Sequence, residues 1–479
     1  MKNKSVHPLI TGTVILTLTG MLSRLIGFFY RIYLSRIFGE EGMGIYQLIS
    51  PVLSLSYSLT AAGYQTAISK LVAERTAKQD NAPLHPLFAA LSLSLPLSFL
   101  CNFIIYAFAD QIAVHLLLEQ RTASMLKILS FSIPFTAIHS CINGYFYGSK
   151  KTAVPAATQL IEQCIRVACV SFLASHALAK GAALTINVAV FGLAVGEFGS
   201  MLVSVISMYV TILRLQKSKN TTPANAHTYL HTDSFPSQFL SSRATHSATY
   251  ISLLSMVLPL TANRIILNLL QSLESVSIPA RLRLYGYDTS TALSVYGVLT
   301  GMAMPLIFFP NALTGSISVL LLPMISEAYA LGNLQKVKKY TLQTVKFCAL
   351  LGVICMSLFL FLGKWIGTHL FQSDLAGHFI ITLSFLCPFL YLDTTLSSIL
   401  QGLGMAGHIF IMNISSLLLR LAFVFFAIPK FGITGYLWGI LASQIFLSIL
   451  YLLCLYGGRH RIRSHAKTAS HIRSVSDHS

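Results

Sequence analysis

Long runs of apolar residues, separated by short polar connections, make up most of this chain of 479 residues. A membrane-spanning helix needs about 20 predominantly apolar residues. Twelve segments meet that requirement, near 9–37, 44–70, 86–109, 124–148, 154–178, 184–213, 249–275, 291–325, 341–362, 376–401, 408–429 and 433–456. The pattern therefore predicts an all-α polytopic membrane protein with about twelve transmembrane helices.

Composition supports this class and narrows the function. Hydrophobic residues make up 54% of the chain and charged residues 10%, against about 25% charged residues in ordinary soluble domains. The net charge is +18, but the basic residues collect in the connections, so we expect no nucleic-acid partner. The eight cysteines lie in apolar segments without a CxxC pair, and no P-loop, HExxH or nucleophile elbow is present. We therefore predict no catalytic residue, metal or cofactor, and a protein that is not an enzyme.

The distribution of Lys and Arg predicts the orientation in the membrane. If both termini are cytoplasmic, nineteen basic residues lie in inner connections and eight in outer ones. Inner connections carry the excess of Lys and Arg in membrane proteins. We therefore expect a multi-pass protein of the cell membrane with both ends in the cytoplasm.

The chain contains an internal repeat with a constant offset of 254 residues. The matches include Pro51 with Pro305, Pro134-Phe135 with Pro388-Phe389, Gly148 with Gly402, and Arg166 with Arg420. Six helices per repeat is an even number, so the repeats are predicted to be parallel, with a substrate site between two lobes. The predicted domains are an N-terminal lobe (1–213), a cytoplasmic linker (214–248), a C-terminal lobe (249–456) and a basic cytoplasmic tail (457–479).

Two arginines lie within the first predicted span. Arg24 is near its middle and Arg31 follows seven residues later, which returns it to within about 20° on the same helical face. A cation at this depth costs roughly 3 kcal/mol. Either Arg24 has a buried partner such as Glu197, or it faces a wet cavity that binds an anion.

The second repeat has a similar arginine. Ser23-Arg24 corresponds to Asn263-Arg264 at an offset of 240 residues. Asn268 and Gln271 lie on or near the face of Arg264 and can hydrogen-bond neutral polar groups of a substrate. The alternative is that these neutral side chains hold helices together. The predicted substrate-binding residues are Arg24, Arg31, Arg264, Asn268 and Gln271.

Other ionisable side chains within the spans are candidates for ion pairs or for coupling to an ion. They are Glu162, Arg166, Glu197, Glu274 and Arg420. Glu162 lies four residues before Arg166, so an intrahelical ion pair is expected there. Arg420 has Ser416 in the corresponding position and must find another partner or solvent. His139 is predicted either to relay a proton or to be a hydrogen-bonded packing residue.

Several stretches resemble the stage V sporulation protein B family, in the polysaccharide-transporter branch of the multidrug/oligosaccharidyl-lipid/polysaccharide flippase superfamily, beside the MurJ lipid II flippases. They are SRLIGFFYRIYLSRIFGEEGMGIYQLISP, AAGYQTAISKLVAER, TALSVYGVLTGMAMPLIFFPNALTGSISVLLLPMISEA and AIPKFGITGYLWGILASQ. The resemblance covers about residues 9–456. It implies a V-shaped, two-lobe bundle that uses alternating access to move undecaprenyl-pyrophosphate-linked sugars. It also implies that the arginine of the SRxxGF motif, here Arg24, lines the cavity.

The resulting hypothesis is a flippase for a lipid II-like cell-wall precursor, acting in peptidoglycan or spore cortex synthesis. We expect it to be a monomer that contacts its lipid-linked anionic sugar substrate and membrane lipid, with cell-wall synthases as candidate partners. Two alternatives are a cation-coupled multidrug exporter of the same fold and a non-transporting scaffold for wall synthases. Because Glu162 and Glu197 are the only mid-span acids considered for ion coupling, the membrane potential is predicted to drive transport.

Overall fold

The computed structural model describes residues 8–77, 84–181, 184–220 and 243–457, and within these ranges the chain is helical without any β-strand. Ten helices in this part are long and apolar enough to cross a membrane, or up to twelve if each of two bent pairs is one span. The predicted all-α, multi-span fold class is thus confirmed. The helices are α1 (Pro8–Leu48), α2 (Ser50–Tyr57), α3 (Gly63–Ala77), α4 (His85–Ala107), α5 (Ala109–Gln111), α6 (Thr122–Ser130), α7 (Ser132–Gly148), α8 (Ala153–Ala179), α9 (Asn187–Asn220), α10 (Arg243–Tyr285), α11 (Thr289–Gly297), α12 (Met304–Phe308), α13 (Asn311–Ala330), α14 (Leu334–Trp365), α15 (Asp374–Ser384), α16 (Cys387–Gly402), α17 (Ala406–Phe426), α18 (Ile428–Phe431) and α19 (Ile433–Gly457).

The chain forms two compact units. The first consists of residues 1–23 and 49–269, and the second of residues 24–48 and 270–479. The boundaries at 23/24 and 269/270 fall inside long helices, α1 and α10, and the third follows the end of α1 at Leu48, whereas the predicted lobes were divided at the linker. The predicted linker also differs, because α9 continues to Asn220 and α10 begins at Arg243. The rest of that segment and the tail after Gly457 lie outside the described residues.

Each unit has its own apolar core. In the first unit α3, α4 and α7 pack around Ile68, Ala90 and Phe146. In the second unit α13, α14, α16, α17 and α19 pack around clusters that include Ile325 and Tyr451. Large apolar side chains also cover the outside of the helices; Phe361, for example, is 86% exposed. Such a surface suits a hydrocarbon environment.

The repeat seen in the sequence reappears as a repeated bend. The pair α6–α7 is bent by 41° and the pair α15–α16 by 56°. Pro134 and Pro388 stand just after the two breaks. Each proline lacks an N–H and disrupts the backbone hydrogen bond to the residue four positions earlier, which breaks the helix at that point. A π-helical segment also recurs 254 residues apart, beginning at Ile112 and at Ile366.

One predicted span was wrong, and one predicted separation between spans takes the form of a kink. The span predicted over 291–325 is divided, since α12 ends at Phe308 and α13 begins at Asn311. Pro310 at this break cannot continue the hydrogen-bond ladder. The predicted spans 9–37 and 44–70 are separated at Gly39, whose φ of 69° and ψ of −172° are non-helical, so two helices meet there without a longer loop. A positive φ of this kind favours glycine.

The close approach of α1 to α11 depends on Gly44. A Cβ atom at this position would lie 2.0 Å from the carbonyl oxygen of Leu293, whereas one at Gly27 in the same helix would have no neighbour within 4 Å. We expect Gly44→Ala to destabilise the protein by about 1–3 kcal/mol, the usual cost of overpacking. Gly27→Ala should leave the midpoint of thermal unfolding unchanged or raise it. Equal midpoints for the two variants would contradict this account.

Candidate functional site

The arginines of α1 have different surroundings. Arg36 donates from Nε to the carbonyl oxygen of Leu370 at 2.9 Å and from Nη2 to that of His369 at 2.8 Å. Arg31 is half-buried, and Arg24 is exposed. Arg24 forms no ion pair or hydrogen bond with any residue in the part of the chain that the structure describes. Arg24 is therefore a deep cation whose charge no protein group in that part compensates.

Helix α10 carries the second exposed arginine. Arg264 is exposed and, among the described residues, forms no ion pair. The Tyr57 hydroxyl lies within electrostatic range of Arg264. Asn268 donates to the Ser58 hydroxyl at 2.5 Å. A contact of this kind is expected if the neutral polar side chains of α10 hold helices together. Gln271 is exposed, three residues further along the helix.

A polar cluster joins α7, α8 and α9 in the first unit. Glu162 and Arg166 form an ion pair within α8. Glu197 on α9 accepts a hydrogen bond from the Thr136 hydroxyl at 2.8 Å and lies 2.7 Å from His139 Nε2. The Glu197 carboxylate is thus held by α7.

In the second unit the half-buried Arg420 pairs with a carboxylate from another helix. Arg420 donates from Nη2 to Glu274 Oε2 at 2.7 Å, and the Tyr436 hydroxyl donates to Glu274 Oε1 at 2.6 Å. Glu274 is only 4% exposed. The partner that the sequence left open for Arg420 therefore comes from α10, 146 residues away.

The deep arginines thus fall into two groups. Arg166 and Arg420 are half-buried and paired with carboxylates. Arg24 and Arg264 are exposed and have no carboxylate partner among the described residues. Lys346 is also exposed, but it lies near the predicted cytoplasmic end of its span, where a flexible lysine chain reaches the interface. Only Arg24 and Arg264 combine depth, exposure and the lack of a carboxylate partner in the described chain.

One buried acid was missed at the sequence level. Asp393 lies within α16 and is 5% exposed, which corrects the prediction that Glu162 and Glu197 are the only mid-span acids to consider. A lone acid between apolar segments, in CPFLYLDTTLSSILQG, is a detectable signal because acids inside spans are rare. Its burial against α19 becomes visible only in the fold.

Other features do not resemble an anion site. A cavity of about 540 Å³ in the first unit is lined by apolar side chains, among them Phe131, Phe135 and Phe198. The ammonium group at its edge, Lys127, pairs with Asp110 at 2.9 Å. No group of three or more His, Cys, Asp or Glu residues among the described residues is arranged to hold a metal ion.

Comparison with known proteins relates the chain to a protein family. A family model described as "Polysaccharide biosynthesis protein" matches residues 9–329 and 330–477. Stage V sporulation protein B of Bacillus subtilis (strain 168) is 30% identical over 443 residues, which cover 92% of this chain and 82% of that protein.

Two solved structures share the fold. One is the inward-facing conformation of a multidrug resistance MATE family transporter of the MOP superfamily, with a TM-score of 0.71, 16% identity, and coverage of 95% of this chain and 99% of that one. The other is lipid II flippase MurJ in an inward closed conformation, with a TM-score of 0.68, 15% identity, and coverage of 97% and 93%. Both similarities extend over nearly the whole of each chain.

Proposed function

Because the chain belongs to the polysaccharide biosynthesis protein family and is related to stage V sporulation protein B, we propose that it is a flippase for a lipid-linked anionic sugar. It moves the precursor across the cell membrane by alternating access. The substrate is an undecaprenyl-pyrophosphate-linked, lipid II-like intermediate of peptidoglycan or spore cortex synthesis. The observation that carries this proposal is the exposure of Arg24 and Arg264 without a carboxylate partner in the described chain.

Physical chemistry limits what such arginines can face. A guanidinium in contact with hydrocarbon is costly, so arginines within spans face water, a partner or a ligand. The protein compensates Arg166 and Arg420 with its own carboxylates, which shows how this chain stabilises an arginine that serves the fold. An anionic ligand supplies the missing compensation at Arg24 and Arg264.

A diphosphate is the anion that this chemistry suits. Its oxygens accept several hydrogen bonds, and the planar guanidinium fork donates two parallel ones. The proposal assigns these contacts to Arg24 and Arg264. Arg31 joins them through its place on the face of Arg24, and Gln271 contacts neutral groups of the headgroup. Asn268, which holds Ser58, positions α10 in addition to any contact with substrate.

The proposal includes the predicted topology and partners. Both termini lie in the cytoplasm, and the protein works as a monomer that contacts membrane lipid and, as candidate partners, cell-wall synthases. It is a transporter without a catalytic residue. Shared fold with a multidrug transporter does not favour drug export here. The carboxylates Glu197, Glu274 and Asp393, which are half-buried or buried, all accept hydrogen bonds from protein groups, and the exposed deep charges are positive.

Native mass spectrometry of the purified protein tests the proposed substrate class. We expect a co-purified polyprenyl-diphosphate lipid on the wild type and its loss from the Arg24→Ala, Arg264→Ala double variant. The Lys346→Ala variant, which also removes a cation from a span, should retain the lipid. Co-purification of hydrophobic organic cations instead would favour the exporter. Equal retention of the lipid by all three proteins would contradict the assignment of the arginines.

A further inference from the structure

We propose that Asp393 is a proton-binding site that couples a proton to the transport cycle. The carboxyl group lies inside the second unit, where α16 packs against α19. The coupling part of this inference rests on the proposed function, whereas the proton site itself does not. Four observations carry it: the burial of Asp393, its hydrogen bonds, the lack of an ion-pair partner and its depth in the span.

Both carboxyl oxygens of Asp393 contact α19. The Ser448 hydroxyl donates to Oδ1 at 2.6 Å, and the Gln444 amide donates to Oδ2. Asp393 is nine residues before the end of α16 at Gly402, which places it about 14 Å from that end. The group therefore lies near the middle of the bent α15–α16 span, away from the interface.

No cation compensates the Asp393 carboxylate among the described residues. Tyr451 of α19 lies within electrostatic range of Asp393 but is neutral, and its hydroxyl donates to Asn413 Oδ1 at 3.2 Å. None of the charged or titratable side chains on the helices around α16 forms an ion pair or hydrogen bond with Asp393. They are Glu327 and Tyr329 of α13, Lys336, Lys338, Lys339, Tyr340, Lys346, Cys348, Cys355 and Lys364 of α14, Asp374 and His378 of α15, His408 and Arg420 of α17, and Tyr436 and Cys454 of α19.

This arrangement distinguishes Asp393 from Glu162, Glu197 and Glu274, the other acids considered within the spans. Glu162 and Glu274 each face an arginine, and Glu197 faces His139, with Arg166 also within electrostatic range. An isolated ionised carboxylate in a low-dielectric interior is strongly disfavoured, and such a group becomes neutral instead. For Asp393 the available route to neutrality is a bound proton.

The surrounding side chains can hydrogen-bond both states of the acid. Ser448 can donate or accept, and Gln444 carries an NH₂ donor and an oxygen acceptor. A carboxylate accepts a hydrogen bond from each, whereas the protonated acid donates one of its own. A metal cation is a poorer fit, since hard cations prefer a shell of oxygen ligands and Gln444 presents its amide nitrogen to Oδ2.

Proton uptake and release therefore change the contact between two helices. When Asp393 loses its proton, both α19 side chains must donate; when it gains one, one of them must accept. A change in the packing of α16 on α19 within each cycle would link the proton to transport. This revises the prediction of a purely potential-driven carrier, because a pH gradient then contributes as well.

Infrared spectroscopy of the protein without substrate tests the proton site. Asp393 is the only buried aspartate among the described residues, so ¹³C-aspartate labelling assigns its signal. We expect a protonated aspartate band at about pH 6, where exposed aspartates of pKa about 3.9 are ionised. The band should be absent from Asp393→Asn and retained by Asp374→Asn, an exposed aspartate in the same bent span. The absence of the band from the wild type, or its survival in Asp393→Asn, would overturn the proposal without depending on how the variant folds.

Transport in liposomes tests the coupling separately. The measurement is the rate of transport of a fluorescent lipid-linked muropeptide. Collapse of the pH gradient should reduce this rate at least threefold for the wild type and for Asp374→Asn. The rate of Asp393→Asn should be the same with and without the gradient. Dependence on a sodium gradient in place of a pH gradient would overturn the proton assignment. A wild-type transport rate that does not change when the pH gradient is collapsed would contradict the proposed coupling. Absence of any transport, together with a normal Asp393 band, would refute the proposed function and leave the proton site standing.

Discussion

Replacing both Arg24 and Arg264 by alanine is expected to reduce translocation of the lipid-linked precursor at least about 100-fold. Hydrogen bonds to charged groups contribute about 1.5–3 kcal/mol each, and the loss of about 3 kcal/mol corresponds to a factor of more than 100 in affinity. The measurement is the amount of precursor that reaches the outer leaflet in cells depleted of their other flippases. Each single variant should show an intermediate defect.

Matched variants separate the geometry of these arginines from their charge. Arg24→Lys and Arg264→Lys keep the cation but lose the planar fork that donates two parallel bonds, so partial activity is expected. Lys346→Ala removes an exposed cation outside the proposed site and should transport normally. Normal translocation by the Arg24→Ala, Arg264→Ala double variant, present at wild-type levels in the membrane, would refute the flippase proposal.

Much of the fold follows from hydropathy and from the repeat. Pro134 and Pro388 share one register, and the structure bends the spans at the corresponding positions. The break at Pro310 was not predicted, because the hydropathy stays high through LIFFPNAL. The helix is nevertheless interrupted there, since the proline has no N–H to donate. The separation of the first two spans was predictable. The polar GEEG segment indicates an interruption, and Gly39 within it departs from helical geometry.

The candidate site was predictable where it depends on residues close in sequence. The spacing of Glu162 and Arg166 indicates an intrahelical pair, and the two are paired in α8. The partner of Arg420 comes from α10, and the donors to Asp393 are 51 and 55 residues away. Contacts of this kind depend on how helices pack, which periodicity within one segment does not encode. The depth of Arg24 and Arg264 was visible in the sequence, but their exposure required the structure.

Removing the Glu274 carboxylate should cause the largest loss of stability. Glu274 is 4% exposed and accepts hydrogen bonds from Arg420 and Tyr436. Glu274→Leu leaves the half-buried Arg420 guanidinium without its counter-charge. Breaking a fully buried ion pair costs about 3–5 kcal/mol, so a loss of up to about that size is expected. The measurement is the free energy of unfolding of the purified protein in detergent, or the midpoint of thermal unfolding where refolding fails.

The double variant Glu274→Leu, Arg420→Met removes both charges and should regain most of the loss, because apolar side chains of similar volume often replace a buried ion pair without cost. Asp110→Ala provides the comparison, since it breaks the exposed Lys127 pair, whose side chains are 41% and 70% exposed. That variant should lose less than about 1 kcal/mol. If Glu274→Leu were no less stable than Asp110→Ala, or if the double variant were less stable than Glu274→Leu alone, the Arg420 charge would not depend on Glu274 for its compensation.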